Sequence, residues 1–477
     1  MNDRDTGWGI EPVPERLRVL GGVDLALLWG NLGVSLLVVV AGAILVPALA
    51  LPAALVAILV GCLVGNLMLA AAGAIGAQAR VPAMVLMRAP LGERGSYLPT
   101  AINVVQCIGW TVFELLVIAT AAAALSDELL GFEARWAWTL VFGAAALVLG
   151  LLGPLGVVRT VIRRVAIWIV PLAVAYLAWW ALTGGGLEDA WNRPGEGGLS
   201  TWQGIDIVIG VTVSWIPLAA DYTRFARTGR GAFWGTGAGY FVPDALLLAL
   251  GAVVLLTRDV ADAASLPAAV AVGGVVAVLA LFALTVAETD EAFANAYSGA
   301  VSLQNLVPRA PQALLIVLTT TLGTVGALVL ELTSFQSFLF LLGSCFVPLF
   351  AVLLADWLAA GRRYEREDVF DAVPFRVGPI LAWIAGFAAY QWLSPARSGR
   401  ATGRRRSRRS RRRSARPGTA RRRTRRPART AGRRRASPRA ARRTTGRSTT
   451  RAGRGTTGSS TARARALRRF RASSSER

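Results

Sequence analysis

Residues 286–299 read VAETDEAFANAYSG and follow directly on the apolar run VAVGGVVAVLALFALT at 270–285. Three carboxylates, Glu288, Asp290 and Glu291, therefore stand inside a segment that is otherwise fit to cross a bilayer. An ionisable side chain at the centre of a membrane helix costs at least about 2.5–3.5 kcal/mol, so it normally faces a cavity or a partner. On a helix, Glu288, Glu291 and Asn295 share one face, while Thr289, Asp290 and the backbone at Val286 point elsewhere. One polar side suits a solute and the other a cation held by hard oxygen ligands. The competing reading is that 288–291 merely ends the span at the interface. The apolar continuation AFANAYSGAVSL argues against it.

The rest of the chain fits a membrane setting. Of 477 residues, 54% are hydrophobic, and the mean hydropathy is +0.49, too apolar for an ordinary soluble protein of this length. The net charge of +24 divides unevenly. Residues 1–394 hold 20 Arg, no Lys and 27 acids, a balance of −7, and residues 395–477 hold 32 Arg and one acid, a balance of +31. With no His, and with Cys62, Cys107 and Cys345 far apart in apolar runs, metal-finger spacing and His-dependent catalysis are excluded, and no cofactor is expected. The polar residues 1–22 do not resemble a cleavable signal peptide.

Eleven apolar runs have roughly the 17–25 residues that a membrane helix needs. They lie near 24–48, 50–75, 98–125, 136–156, 160–183, 203–223, 232–257, 267–300, 312–332, 334–358 and 377–394. Backbone groups in lipid must bond internally, so these runs predict helices and an all-α, polytopic fold. Arginine clusters follow the even-numbered runs: Arg80, Arg88 and Arg94; Arg159, Arg163 and Arg164; Arg224, Arg227 and Arg230; Arg309; and Arg362, Arg363 and Arg366. Acidic loops (SDELLGFEAR, LEDAWNRPGEGG, TRDVADAAS) follow runs 3, 5 and 7. By the positive-inside rule, the N-terminus is cytoplasmic. The domain plan is a cytoplasmic segment at 1–23, a transmembrane domain at 24–394 and an Arg-rich tail at 395–477.

Three more spans carry polar or helix-breaking residues. In LLWGNLGVSLLVVVAG (27–42), Gly30 and Gly33 flank Asn31, which either weakens the helix and exposes carbonyls or allows close helix packing. In GIDIVIGVTVSWIPLAADYTRF (204–225), Pro217 follows Trp215 and Ile216 and bends or breaks the sixth span. Breaks five helices apart fit two inverted five-helix repeats with a binding site at the broken helices. In NVVQCIGWTVFELL (103–116), Gln106, Trp110 and Glu114 recur every four residues on one face. An aromatic between an amide and a carboxylate suits a planar, hydrogen-bonding ligand, and an interhelical polar contact with a core Trp is the alternative.

These residues resemble the bacterial nucleobase–cation symporters, in particular cytosine and hydroxymethylpyrimidine permeases. The resemblance is carried by LMRAPLGERGSYLPTAINVVQCIGW (86–110), WIPLAADYTRFAR (215–227), ANAYSGAVSLQNL (294–306) and LLADWLAAGRRYE (353–365), and covers about residues 20–394. It implies a LeuT-like, twelve-helix fold in a bacterial plasma membrane, with uptake of a planar base coupled to Na⁺ or H⁺ by alternating access. It implies that the base stacks on Trp110 and is read by Gln106 or Glu114 and by Asn295. It also implies a cation between carbonyls around Gly30, Leu32 and Gly33 and helix 8 at Val286, Thr289 and Asp290. The chain departs from the family pattern in three places. Asp290 and Glu291 stand where hydroxyls or amides are usual. Thr212 stands where some members have an aromatic, with Trp215 one turn later in its stead. A twelfth span is replaced by the tail.

A 4-aminopyrimidine presents a ring nitrogen beside an exocyclic amine. A protonated Glu donates to the first and accepts from the second, which makes Glu114 and Glu291 candidates for reading that edge. The rivals are an amino-acid or other organic-solute symporter of the same architecture and a membrane-anchored nucleic-acid-binding protein acting through its tail. A membrane enzyme is disfavoured, since no nucleophile–base pair stands out.

After AYQWLSP (389–395) the chain turns into Arg, Ala, Ser, Thr, Gly and Pro, a composition that cannot bury a core and is expected to be disordered. One reading of it is an arm for nucleic acid or anionic lipid; only Phe470 interrupts it as an aromatic, so no specific nucleic-acid partner is expected, and membrane lipid is the expected partner of the chain. The abrupt switch, in a gene whose codons favour Arg over Lys, reads as a frameshift near Pro395, which resequencing tests. Deletion of residues 396–477 is expected to leave solute binding in detergent unchanged, and loss of binding on that deletion in a folded protein would favour the tail-centred rival.

Overall fold

The computed structural model describes residues 9–157, 167–183, 185–258, 260–271, 279, 281–283, 285, 288–331 and 335–393. The Arg-rich tail, the first eight residues, the loop with Arg159, Arg163 and Arg164, and Val286 lie outside the described residues. Within them the chain is helical. One isolated bridge joins Leu20 to Ala226.

The first apolar run forms two helices, α1 (Gly22–Leu32) and α2 (Leu36–Ala43), bent by 60° at a short break. There follow α3 (Leu51–Ala79), α4 (Tyr97–Leu130), α5 (Arg135–Val157) and α6 (Ile167–Thr183). The second half contains α7 (Thr201–Val213), α8 (Ile216–Thr223), α9 (Gly229–Thr257), α10 (Thr289–Leu306), α11 (Gln312–Val329), α12 (Phe335–Ala359) and α13 (Val377–Leu393). Among the described residues, seven helical segments are long and apolar enough to span a bilayer, and the bent α1–α2 pair adds an eighth. These eight segments fall in eight of the eleven expected runs; the other three runs hold α6, α10 and α13.

Polarity is inverted relative to a soluble protein. Leu59, Leu63 and Leu67 on α3 are more than half exposed, whereas Glu114, Asp221, Asp244 and Glu288 are completely buried. An apolar outside around a polar inside is the arrangement that lipid demands. Helices α1, α2, α3, α7, α8 and α9 pack on one another, and α4, α5, α10 and α11 form a second group. The closest approach is between α2 and α9. A Cβ on Gly42 would overlap the Leu248 carbonyl, and one on Gly251 would overlap that of Val39. Only glycine lets these backbones touch.

The break in the first span lies at Gly33–Ser35, just past the Gly30–Gly33 stretch singled out in the sequence. The helix runs through Gly30 and Asn31 because these small residues serve packing: a Cβ on Gly30 would meet the Gly239 carbonyl at 3.4 Å, and one on Gly33 would meet Pro243 Cγ at 2.7 Å. Beyond the break, Ser35 is extended and its hydroxyl accepts from the N–H groups of Leu37 (3.0 Å) and Val38 (3.3 Å). Glu288 reaches across to the same helix start. Its Oε1 accepts from Ser35 Oγ at 2.6 Å and from Leu37 N–H at 3.2 Å, and its Oε2 accepts from Leu36 N–H at 2.5 Å. A carboxylate at a helix N-terminus satisfies orphan donors and complements the helix dipole.

In the sixth span, α7 and α8 are separated by Ser214 and Trp215, with Pro217 in the first turn of α8. Gln106 Nε2 on α4 donates to the Ser214 carbonyl at 2.8 Å, a carbonyl at the end of α7 where the helix ladder is interrupted.

Replacing Glu288 by Ala strips a buried acceptor from Ser35, Leu36 and Leu37. Each buried donor left unpaired costs about 1–3 kcal/mol. The thermal midpoint in detergent is expected to fall further in Glu288→Ala than in Ser35→Ala, which leaves the Leu36 N–H its carboxylate. Equal midpoints would show that the Glu288 contacts do not stabilise α2.

Candidate functional site

The two breaks lie on either side of one cavity. It is lined by Ser35, Leu37, Val38 and Ala41 from the first span, Trp110 and Glu114 from α4, and Val211, Ser214 and Trp215 at the second break. Tyr240 of α9, Glu291 and Asn295 of α10, and Phe335 of α12 complete it. The cavity volume is only about 10 Å³, enough for about one water. A flat base therefore requires the lining side chains to move apart.

Four aromatic rings wall the cavity. Trp110 stands edge-on to Phe335 and Phe338, at centroid distances of 5.8 and 5.4 Å. Trp215 donates its Nε1–H to the Tyr240 hydroxyl at 2.8 Å, and both rings lie about 6 Å from Trp29. The polar side is acidic. Carboxyl oxygens of Glu114, Glu288 and Glu291 lie within 4.8 Å of one another. Glu288 is turned towards α2 and its oxygens are taken there. Glu114 lines the cavity, and neither of its oxygens receives a hydrogen bond among the described residues. Asn295 donates its Nδ2–H to the Glu291 carbonyl one turn earlier, at 3.1 Å.

The sequence candidates separate into three groups. Trp110, Glu114, Trp215, Glu291 and Asn295 line the cavity together. Gln106 and Thr212 do not. Gln106 donates to Asn103 Oδ1 (3.1 Å) and to the Ser214 carbonyl, and Thr212 donates to Asp244 Oδ2 at 2.9 Å. The Gln106–Ser214 and Thr212–Asp244 bonds join separate helices, while the Gln106–Asn103 bond lies within α4. The third group is the cation set. Gly30, Leu32 and Gly33 lie in α1 and at its end, beside the break to which Glu288 of the eighth span reaches. The side chains of Thr289 and Asp290, and all of Val286, lie outside the described residues. Reading from the sequence missed Ser35, Tyr240 and Phe335 as lining residues. Ser35 was legible as a helix N-cap after the Gly-rich stretch, whereas Tyr240 and Phe335 give no local signal.

The motif stretches that carry the family resemblance reach the cavity through Trp110, Trp215 and Asn295, and their other polar residues tie helices together at the arginine-rich end. Asp221 accepts from the Ala83 N–H at 2.9 Å, Tyr222 donates to the Ala294 carbonyl at 3.2 Å, and Arg224 donates to the Tyr297 hydroxyl at 2.9 Å. Arg88 donates to Asn305 Oδ1 at 2.6 Å, and Asn305 Nδ2 donates to Thr100 and Ser96 at 2.8 and 3.0 Å. In the loop after α12, Tyr364 donates to Asp356 at 2.9 Å, and Arg376 pairs with the same carboxylate at 2.8 Å. Burial, with the adjacent Asp356, holds the Tyr364 hydroxyl above its usual pKa, so it stays a donor.

Comparison with known proteins agrees with this architecture. Residues 12–390 match the family described as permeases for cytosine/purines, uracil, thiamine and allantoin. The chain is 26% identical over 343 residues to the cytosine permease of Escherichia coli (strain K12), covering 69% of this chain and 77% of that protein. It is 23% identical over 390 residues to the hydantoin permease of Microbacterium maritypicum, covering 74% and 76%. Its fold is similar to that of Mhp1, a nucleobase-cation-symport-1 family transporter solved closed with bromovinylhydantoin bound. The TM-score is 0.65 at 19% identity, covering 82% of this chain and 94% of Mhp1. MhsT in complex with L-phenylalanine shares the fold at a TM-score of 0.53 and 16% identity, covering 80% of this chain and 96% of MhsT. With a helical fold built around two broken spans and a family match that runs from before α1 into α13, the chain belongs to the nucleobase–cation symporter family and is a multi-pass membrane transporter, not an enzyme.

Proposed function

We propose that the protein takes up a 4-aminopyrimidine, cytosine or hydroxymethylpyrimidine, across a bacterial plasma membrane, coupled to Na⁺ or H⁺, with its N-terminus in the cytoplasm. The transporter domain is 24–394. The base stacks on Trp110, with Trp215 on the other side of the cavity, and its hydrogen-bonding edge meets Glu114, Glu291 and Asn295. The cation is held between the carbonyls of Gly30, Leu32 and Gly33 and the start of the eighth span at Val286, Thr289 and Asp290. Ligand binding at the two breaks shifts the balance between two packings of the first helix group against the second, and coupling requires only that base and cation favour the same one.

The observation that supports a pyrimidine over an amino acid is the position of Glu288. In amino-acid transporters of this architecture, a half-helix N-terminus holds the substrate carboxylate. Here the N–H groups of Leu36 and Leu37 already bond Glu288, so an incoming carboxylate would compete with a buried one. The ring-walled, acidic cavity and the cytosine permease relatives favour a planar base with amine donors.

Cytosine and hydroxymethylpyrimidine, each with and without Na⁺, are expected to quench tryptophan fluorescence of the detergent-purified protein saturably. Trp110→Ala is expected to weaken binding by one to two orders of magnitude, as loss of about 1–3 kcal/mol of base stacking requires. Strengthening by Na⁺ would identify Na⁺ as the coupled ion. Quenching by phenylalanine instead of either base, in folded protein, would move the assignment to amino acids.

A further inference from the structure

The charge of the cavity narrows the substrate class further. Among the described residues, the charged or titratable side chains at or against the cavity are Glu114 on α4, Glu288 just before α10, Glu291 on α10 and Tyr240 on α9. From α2, α7 and α12 it receives only apolar groups and hydroxyls. None of the lining residues is Arg, and the chain contains no Lys or His. Glu288 is engaged by three donors at the α2 N-terminus. Glu114 is completely buried and lines the cavity; among the described residues no N–H or hydroxyl donor meets either of its oxygens, and its polar neighbours are the carboxyls of Glu288 and Glu291. The indole N–H of Trp110, itself more than nine-tenths buried in the same wall, is also unpartnered. Carboxylates this close repel strongly when water is excluded, and a positive charge between them relieves the repulsion. Aromatic faces on several sides add attraction for a cation.

We propose that the substrate is bound and carried as an organic cation: an aromatic ring with a protonated amidine edge, whose ring N–H and exocyclic N–H both donate to Glu114. A planar pair of N–H donors matches a carboxylate bidentately, and charge assistance strengthens both bonds. Glu291 supplies the second negative charge, and Trp110 stacks on the ring. The transported proton then enters on the base, and base and proton cross as one species. A neutral aminopyrimidine on a protonated Glu114 makes the same two hydrogen bonds with the proton on the other partner. A ligand that keeps its proton distinguishes the two arrangements. This inference rests on the transport reading above and narrows its substrate class.

The test is isothermal titration of the full chain in detergent with benzamidine, which is cationic at neutral pH, with its neutral isostere benzamide, and with cytosine. Benzamidine is expected to bind about tenfold or more tightly than benzamide. Glu114→Gln, with a melting curve to confirm folding, is expected to cut benzamidine affinity by a similar factor. Cytosine affinity in wild type is expected to rise as pH is lowered from neutral towards the range where the base is protonated. Equal binding of benzamide and benzamidine, a comparison that needs no variant, would overturn the proposal, as would benzamidine binding that Glu114→Gln leaves unchanged. Trp110-dependent binding of cytosine without benzamidine binding would remove the cation and leave the transport reading standing. Absence of binding by all three ligands to folded protein would overturn both.

Discussion

The carboxylate of Glu288 at the start of α2 is the contact on which the rest of the interior depends. The first span is broken, so α2 begins in the middle of the protein with N–H groups that lipid cannot satisfy. Ser35 caps part of that end, and Glu288, from the eighth span, takes the remainder. One buried side chain thereby fixes where the second half of the first span meets α10. That junction sets the distance between Glu291, Asn295 and the α2 side of the cavity. The same carboxylate occupies the N–H groups that a bare half-helix would offer to an anion.

The second constraint is close packing without large side chains. The backbones of α2 and α9 touch at Gly42 and Gly251. About three turns earlier on α9, Tyr240 accepts the indole N–H of Trp215 at the second break and forms one side of the aromatic wall. Opposite it, Trp110 is held by Phe335 and Phe338 of α12. The wall is assembled from four separate helical segments, and any rocking of one group against the other changes its width.

The family motifs have a different task. DYTRF ties the end of the sixth span to α10 and to the turn after α3 through Asp221, Tyr222 and Arg224. Arg88 and Asn305, from two other motif stretches, bond each other. These contacts cluster at the arginine-rich end, where Leu20 also exchanges backbone hydrogen bonds with Phe225 and Arg227. The same stretches thus brace one end of the bundle through Arg88, Asp221, Arg224 and Asn305 and supply Trp110, Trp215 and Asn295 to the cavity.

Much of the architecture is legible in the sequence for a simple reason. Spans are set by hydrophobic length, which is local, and breaks by Gly, Ser and Pro, which act on their own backbone. The i, i+4 spacing brings Trp110 and Glu114 to one face, and the same periodicity brings Glu291 and Asn295 together. What these faces point at is not local. Gln106 shares the face of Trp110 yet turns to the Ser214 carbonyl, and Thr212 turns to Asp244, a residue 32 positions away. Glu288 shares the face of Glu291 yet serves a helix start more than 250 residues earlier. The sequence by itself determined the membrane setting, the break at Pro217 and the acidic character of the eighth span, and it left the first span open between a break and close packing. Only the tertiary structure decided which of the carboxylates is consumed in capping a helix and which faces the cavity, because a hydrogen bond depends on which donor the packing brings within 3 Å.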